Sequence, residues 1–244
     1  MISERRKRES VSKELIQMGR HFVFSEDTKT REHYIREIKK RISNKYHVGI
    51  NDVEIIEPDP KKSYNTIGLV ERAIKIVSDR VNSGDVPDHV WIFFDKDDFP
   101  WDDYKKAIEK TLSLNTIKSG AKNNTYHPCD KKGIAWHACF SNRNFELWYL
   151  LHFNCFESKI SKRDDYIKRL NEKLQTTGSN YKKGDSTTLE RIWKAGGSTE
   201  KAIKYAKKLY KANDKQEPST KVYEFAEFFY PYLDLHGLSK LDKP

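Results

Sequence analysis

The chain has 244 residues, 36% hydrophobic and 34% charged, enough for one large or two small domains with an unusually ionic surface. Lys and Arg number 46 against 36 Asp and Glu, a net charge of +10, and no run of 18 apolar residues exists, which excludes a transmembrane helix. The charged start Met1-Ile-Ser-Glu-Arg5-Arg6-Lys7-Arg8 has no apolar h-region to make a signal peptide, and Cys129, Cys139 and Cys155 are too few for a disulfide framework, so a soluble cytoplasmic protein is expected.

In chain order, His21-Phe-Val-Phe-Ser25 reads as a short apolar strand that stops at Glu26. A helix is predicted from about Thr28 to Ser43, with Tyr34, Ile35, Ile38 and Ile42 on one buried face. Val53-Glu-Ile-Ile-Glu57 is a second strand, ended by Pro58-Asp-Pro60. Asn65 is placed to cap a helix running to about Asn82. The next segment, His89-Val-Trp-Ile-Phe-Phe-Asp95-Lys-Asp97-Asp98, runs five apolar residues straight into a carboxylate cluster. Such a run reads as a strand buried on both faces. Trp101 opens a helix through about Leu112, Asn115 to Lys132 is a polar loop, and Gly133 to Phe140 is a fourth strand. Asn144 to Phe156 is apolar nearly all round and reads as a buried helix. Beyond Lys159 the pattern is helical, with segments Asp164–Leu174, Thr187–Ala195, Glu200–Lys211 and Lys221–Leu233. Strands alternating with helices predict a three-layer α/β sandwich with a mainly parallel sheet, followed by a helical C-terminal region. The expected division is a basic segment 1–20, an α/β domain 21–156 and a helical region 157–244.

The carboxyl ends of parallel strands are where an open α/β sheet holds its ligands. Asp95 and Asp97, two residues apart, would share a side if the chain stayed extended, and paired carboxylates call for a proton or a cation between them. A hard cation with oxygen ligands, Mg²⁺ or Mn²⁺, is the natural occupant, with Glu26, Asp95, Asp97 and Asp98 as candidate ligands. A solvated acidic loop is the plain alternative. A Glu and an Asp-x-Asp at successive strand ends is similar to the way the Toprim fold holds Mg²⁺ for work on phosphodiesters.

Several further stretches stand in a recognisable order: Ser25-Glu26-Asp27 with Thr30 and Tyr34; Asp95, Asp97 and Asp98; Ser141-Asn142-Arg143-Asn144-Phe145-Glu146-Leu147-Trp148 followed by Leu150-Leu151-His152-Phe153; Tyr181-Lys182-Lys183-Gly184; and Pro218-Ser219-Thr220-Lys221-Val222-Tyr223. Together they resemble the RloB-like proteins, also called the AbiLii family, of bacterial phage-defence and restriction-linked loci. The resemblance covers most of the chain. Two positions depart from it. Asp27 stands where the family usually has Gly, which questions a turn with positive φ; Arg31 stands where a second acid often follows the Thr, changing the local charge by two units.

The resemblance implies a Mg²⁺- or Mn²⁺-dependent nuclease of the Toprim class, an effector of an AAA- or ABC-type ATPase in anti-phage defence. Glu26, Asp95 and Asp97 would hold the cation, Lys29 and Lys96 would neutralise phosphate charge, and Glu26 has an alternative role as general base. Glu146, inside an apolar helix, must be paired, either capping a backbone amide or joining the acidic site. A non-catalytic nucleic-acid-binding or regulatory subunit is the alternative function, kept open by Asp27 and Arg31. DNA, tRNA or another RNA are all open as targets, as is a homo-oligomer.

Charge is uneven along the chain. Residues 1–20 carry six Lys or Arg against three acids, residues 156–244 carry 19 against 13, and the body between is near neutral. A polyanion would then be met by Arg5, Arg6, Lys7 and Arg8, by Lys182 and Lys183, and by the stripe containing Lys204 and Lys208, although lysine stripes are more often plain solvated faces. The pairs His127-x-Cys129 and His137-x-Cys139 lack zinc-finger spacing, and His152 reads as a hydrogen-bonded core histidine. There is no Gly-rich Walker loop, and the Asp-x-Asp comes too late in the chain for a haloacid-dehalogenase nucleophile.

Overall fold

The computed structural model describes residues 14–15, 18–27, 29–47, 52–59, 64–115, 133–155, 163–178 and 180–233. Arg5, Arg6, Lys7 and Arg8, the first of the two His-x-Cys pairs and nearly all of the Asn115–Lys132 loop lie outside these residues.

The architecture is α/β, with a helical C-terminal region. In chain order the strands are β1 (Glu14–Leu15), β2 (His21–Ser25), β3 (Tyr46–His47), β4 (Val53–Ile56), β5 (His89–Asp95), β6 (Ala135–Asn142) and β7 (Ser219–Thr220). The helices are α1 (Thr30–Lys45), α2 (Thr66–Asn82), α3 (Trp101–Ser113), α4 (Glu146–Leu151), α5 (Arg163–Leu174), α6 (Thr188–Lys194), α7 (Thr199–Asn213) and α8 (Val222–Phe229). The main sheet has the order β4-β2-β5-β6-β7, with four parallel strands and β7 antiparallel on the edge. A separate parallel pair joins β1 to β3.

Alternation along the strands assigns the two faces. Phe22, Phe24, Val90, Ile92, Phe94, Trp136, Ala138 and Phe140 pack in one core with α2 and α3. Val23, Trp91, Phe93 and Cys139 belong to the other core, with α1 and α4 to α8. Asp95 continues the odd-numbered series. Because α5 to α8 share that second core with the sheet, the helices after residue 157 cover one of its faces directly.

The crossovers place the site. The chain leaves β2 through α1 to reach β4, then returns through α2 to β5 on the opposite side of β2. The two connecting helices lie on opposite faces of the sheet. The carboxyl ends of β2 and β5 therefore flank the point where strand order reverses, the place where open parallel sheets form a crevice. Glu26 follows one strand and Asp95 ends the other.

Local signals explain most boundaries. The Asn65 side chain accepts from the Gly68 N–H at 2.8 Å and caps α2, as the sequence predicts; such a cap stabilises by about 1 kcal/mol. Ser198 does the same for α7 through Lys201 N–H. The predicted Asn144–Phe156 helix is shorter, Glu146–Leu151, and Lys221–Leu233 becomes α8 followed by a 3-10 turn at Tyr230–Tyr232, where Pro231 ends regular pairing. Gly197 packs tightly where α6 turns into α7, its N–H donating to Ile192 O at 2.8 Å.

Candidate functional site

Two carboxylates meet at the β2–β5 crevice. Glu26 Oε2 accepts the backbone N–H of Asp95 at 3.3 Å, while Glu26 N–H donates to Phe93 O at 3.2 Å. Asp95 is 2% exposed. Its Oδ2 accepts the Phe145 N–H at 3.1 Å, which ties the end of β5 to the start of α4. Its Oδ1 is buried with no hydrogen-bond partner.

Arg31, the second residue of α1, fills the centre of this arrangement. Its guanidinium is 4% exposed and is bonded to Asp95 Oδ2, with Asp27 Oδ2 at 2.9 Å and Glu26 Oε2 at 3.7 Å. Asp27 is used twice: Oδ2 holds the guanidinium, and Oδ1 accepts the N–H groups of Lys29 at 3.1 Å and Arg31 at 3.4 Å at the start of α1. The two departures noted in the sequence are therefore partners of one another. Asp27 also lies outside the positive-φ residues, so the turn after β2 is built without a left-handed residue there.

Burial raises the carboxyl of Glu26, with Arg31 opposing, and raises that of Asp95, again against Arg31. Asp97 adds to both shifts and Glu146 to that of Asp95, so all four acids share one electrostatic neighbourhood. Burial pulls Arg31 down, but the three carboxylates around it outweigh that and drive it further up; its charge is fixed.

The other predicted residues fall as follows. β5 ends at Asp95, and Asp97 lies in a left-handed turn at φ 39°, so strand alternation does not carry it to the same side; its N–H donates to Arg143 O at 3.0 Å. Asp98 is fully exposed, 3.9 Å from Arg143, and is not gathered with Glu26 and Asp95. Glu146 is buried at the first residue of α4 and accepts the Tyr181 hydroxyl at 2.9 Å. Thus two blocks of the sequence resemblance meet in space. Lys182 and Lys183 are exposed in the turn after Tyr181, closed by Asp185 N–H to Lys182 O at 3.0 Å. Gly184, at φ +80°, lies so close to the Lys29 side chain that a Cβ there would meet it at 3.3 Å. Lys29, itself exposed, therefore neighbours the turn that carries Lys182 and Lys183. Lys204 and Lys208 are exposed on α7, whose Ala202, Ile203, Ala206 and Leu209 face the core. His152 is fully buried with Nδ1 3.0 Å from Trp148 O, and burial lowers it to about 4.

A model of the RloB-like protein family matches residues 21–228. The chain belongs to the RloB-like family. The match begins at β2 and ends in α8, spanning the whole main sheet and both acids of the crevice. No curated protein and no solved structure matches the chain.

The family resemblance implies a divalent cation, and its donor types are present: hard carboxylate oxygens, one of them the unpartnered Asp95 Oδ1. Their placement is another matter. The Arg31 guanidinium touches both Glu26 and Asp95, and among the described residues no three His, Cys, Asp or Glu side chains are grouped to hold an ion. The residues as arranged do not fit the metal.

Arg31 is the residue at the acidic centre whose place the sequence left unassigned. Its signal was the charge reversal at a position next to Thr30, but its reach to Asp95 is a tertiary fact. Asn144 was also passed over: it is fully buried, and neither side-chain polar atom has a partner.

Proposed function

We propose that this chain is a latent Toprim-class nuclease, a nucleic-acid effector of bacterial anti-phage defence that works with an AAA- or ABC-type ATPase. The observation that carries the reading is the meeting of Glu26 and Asp95 at the switch point of the parallel sheet, with Glu146 and Asp97 in electrostatic reach. Lys29 and the neighbouring turn with Lys182 and Lys183 are exposed and suited to hold a phosphate backbone. On this reading the Arg31 guanidinium, which contacts both Glu26 and Asp95, keeps the centre closed, and cutting would require that side chain to withdraw.

A second reading rests on the same guanidinium. An acidic centre neutralised from within also suits a nucleic-acid-binding or regulatory subunit that does not cut.

The test is incubation with labelled tRNA, other RNA and DNA, with Mg²⁺ or EDTA, alone and with an ATPase from the same locus. Asp95→Asn/Asp97→Asn serves as the comparison, since a carboxamide in place of the Asp95 carboxylate would keep an acceptor for the Phe145 N–H. The latent-nuclease reading expects EDTA-sensitive cutting with the ATPase present and none by the double variant. Equal products from both proteins, or binding without cutting in every arm, would overturn hydrolysis and leave the binding subunit.

A further inference from the structure

We propose that Arg31 is the resident cation of the acidic centre: it stands in for a divalent metal, so that the folded chain takes no ion at Glu26 and Asp95 and gains one when Arg31 is removed. This rests on the geometry of the centre and is independent of whether the chain cuts nucleic acid.

Three observations carry it. The guanidinium is nearly inaccessible and contacts Glu26, Asp27 and Asp95 together, which is what a bridging cation would do. It is also held from its own helix. Asp27 sits one turn before Arg31, fixes the start of α1 with one oxygen and orients the guanidinium with the other. A planar donor fork matches carboxylates well and cannot be deprotonated to release them. Finally, the guanidinium balances charge without satisfying every polar atom. Asp95 Oδ1, Arg31 Nε, Thr30 Oγ1 and both polar atoms of Asn144 are buried without partners. An ion that gathers six or more oxygens from all directions could draw on Asp95 Oδ1 where a flat donor cannot.

Removing Arg31 leaves half-buried Glu26 and Asp27 and buried Asp95 with no guanidinium between them. Like charges there must take up protons or a cation. Arg31→Gln removes the charge, and Arg31→Glu adds a fourth carboxylate.

The experiment is Mn²⁺ titration by calorimetry on the full chain, with melting curves in Mn²⁺ and in EDTA. Wild type and Arg31→Lys are expected to show no saturable binding at millimolar Mn²⁺ and no shift in Tm. Arg31→Gln and Arg31→Glu are expected to bind one Mn²⁺ at least tenfold more tightly than that limit and to melt higher with Mn²⁺ than with EDTA. Adding Asp95→Asn to either variant should abolish both effects. If an Arg31 variant folds only with Mn²⁺ present, its metal-dependent circular dichroism is the same result. Asp95-dependent Mn²⁺ binding by the wild type would overturn the proposal. So would folded Arg31 variants that bind none, or variants that stay unfolded with Mn²⁺. A metal-binding Arg31 variant that leaves nucleic acid intact would overturn the nuclease reading alone.

Discussion

Tyr181 gives its hydroxyl hydrogen to Glu146 across 2.9 Å, joining the turn that carries Lys182 and Lys183 to the helix behind Asp95. Tyr181 is 7% exposed and Glu146 1% exposed. Tyr181→Phe removes this donor and takes one hydrogen bond from a buried carboxylate. The expected cost is about 1–3 kcal/mol in urea unfolding, with looser nucleic-acid binding as the turn loses its anchor. Unchanged stability would mean that Glu146 is satisfied without Tyr181.

Lys182 and Lys183 give a second expectation. Replacing Lys182 and Lys183 by Ala should weaken binding to all sequences alike and reduce the slope of log K against log salt by roughly one unit per lost phosphate contact. Lys204→Ala/Lys208→Ala asks the same of the α7 face, and neutralising Arg5, Arg6, Lys7 and Arg8 asks it of the amino end. A slope that moves only with the α7 or amino-terminal changes would place the grip away from the crevice.

At the other end of the sheet, His21, His89, Trp91 and His137 stack across β2, β5 and β6, with Trp91 and His137 centroids 3.7 Å apart. Trp91 Nε1–H donates to His21 Nδ1 at 3.1 Å, so the His21 proton sits on Nε2, 2.7 Å from Met18 O. A second proton would point at the indole N–H. Burial lowers His21 to about 4 and His137 to about 3 from an ordinary value of 6.5. The unfolded chain therefore binds more protons between those values, and stability should fall as pH drops from about 6.5 toward 4. Burial of the Glu26 carboxyl works in the opposite sense and blunts the fall. Urea unfolding at pH 7 and pH 5 should show a loss in the wild type that shrinks by on the order of 1 kcal/mol in His137→Phe. An equal loss in both proteins would contradict the assignment.

The α6–α7 turn at Gly197 supplies a stability test remote from the acids. A Cβ there would fall 2.8 Å from Ile192 O and 3.2 Å from His152 Cβ. Gly197→Ala should cost about 1–3 kcal/mol through overpacking, read as a lower urea midpoint. No loss would show that the α6–α7 turn can yield.

The sequence made β2, β5 and the capped α2 legible because each has a sharp local signature: an apolar run ending in an acid, or an Asn three residues before the amide it caps. The location of Glu26 and Asp95 at one sheet edge was equally readable. β7 was not, because two residues after Pro218 carry no periodicity; Thr220 is placed by tertiary bonds, its Oγ1 2.9 Å from Phe140 O. The Asp95-Lys-Asp97 run looks the same whether extended or turned, so the left-handed Asp97 was hidden. Arg31 showed as a charge reversal, but only the fold reveals that it reaches Asp95, 64 residues away, and meets Asp27 on the way.

The most direct measurement is cleavage of labelled RNA and DNA by Arg31→Glu loaded with Mg²⁺ or Mn²⁺, beside the wild type with no ATPase added. A latent centre closed by Arg31 predicts that the variant cuts, that EDTA and Asp95→Asn stop it, and that the wild type alone leaves the substrates whole. A metal-loaded variant that cuts nothing, or a wild type that cuts as fast as the variant, would contradict the account.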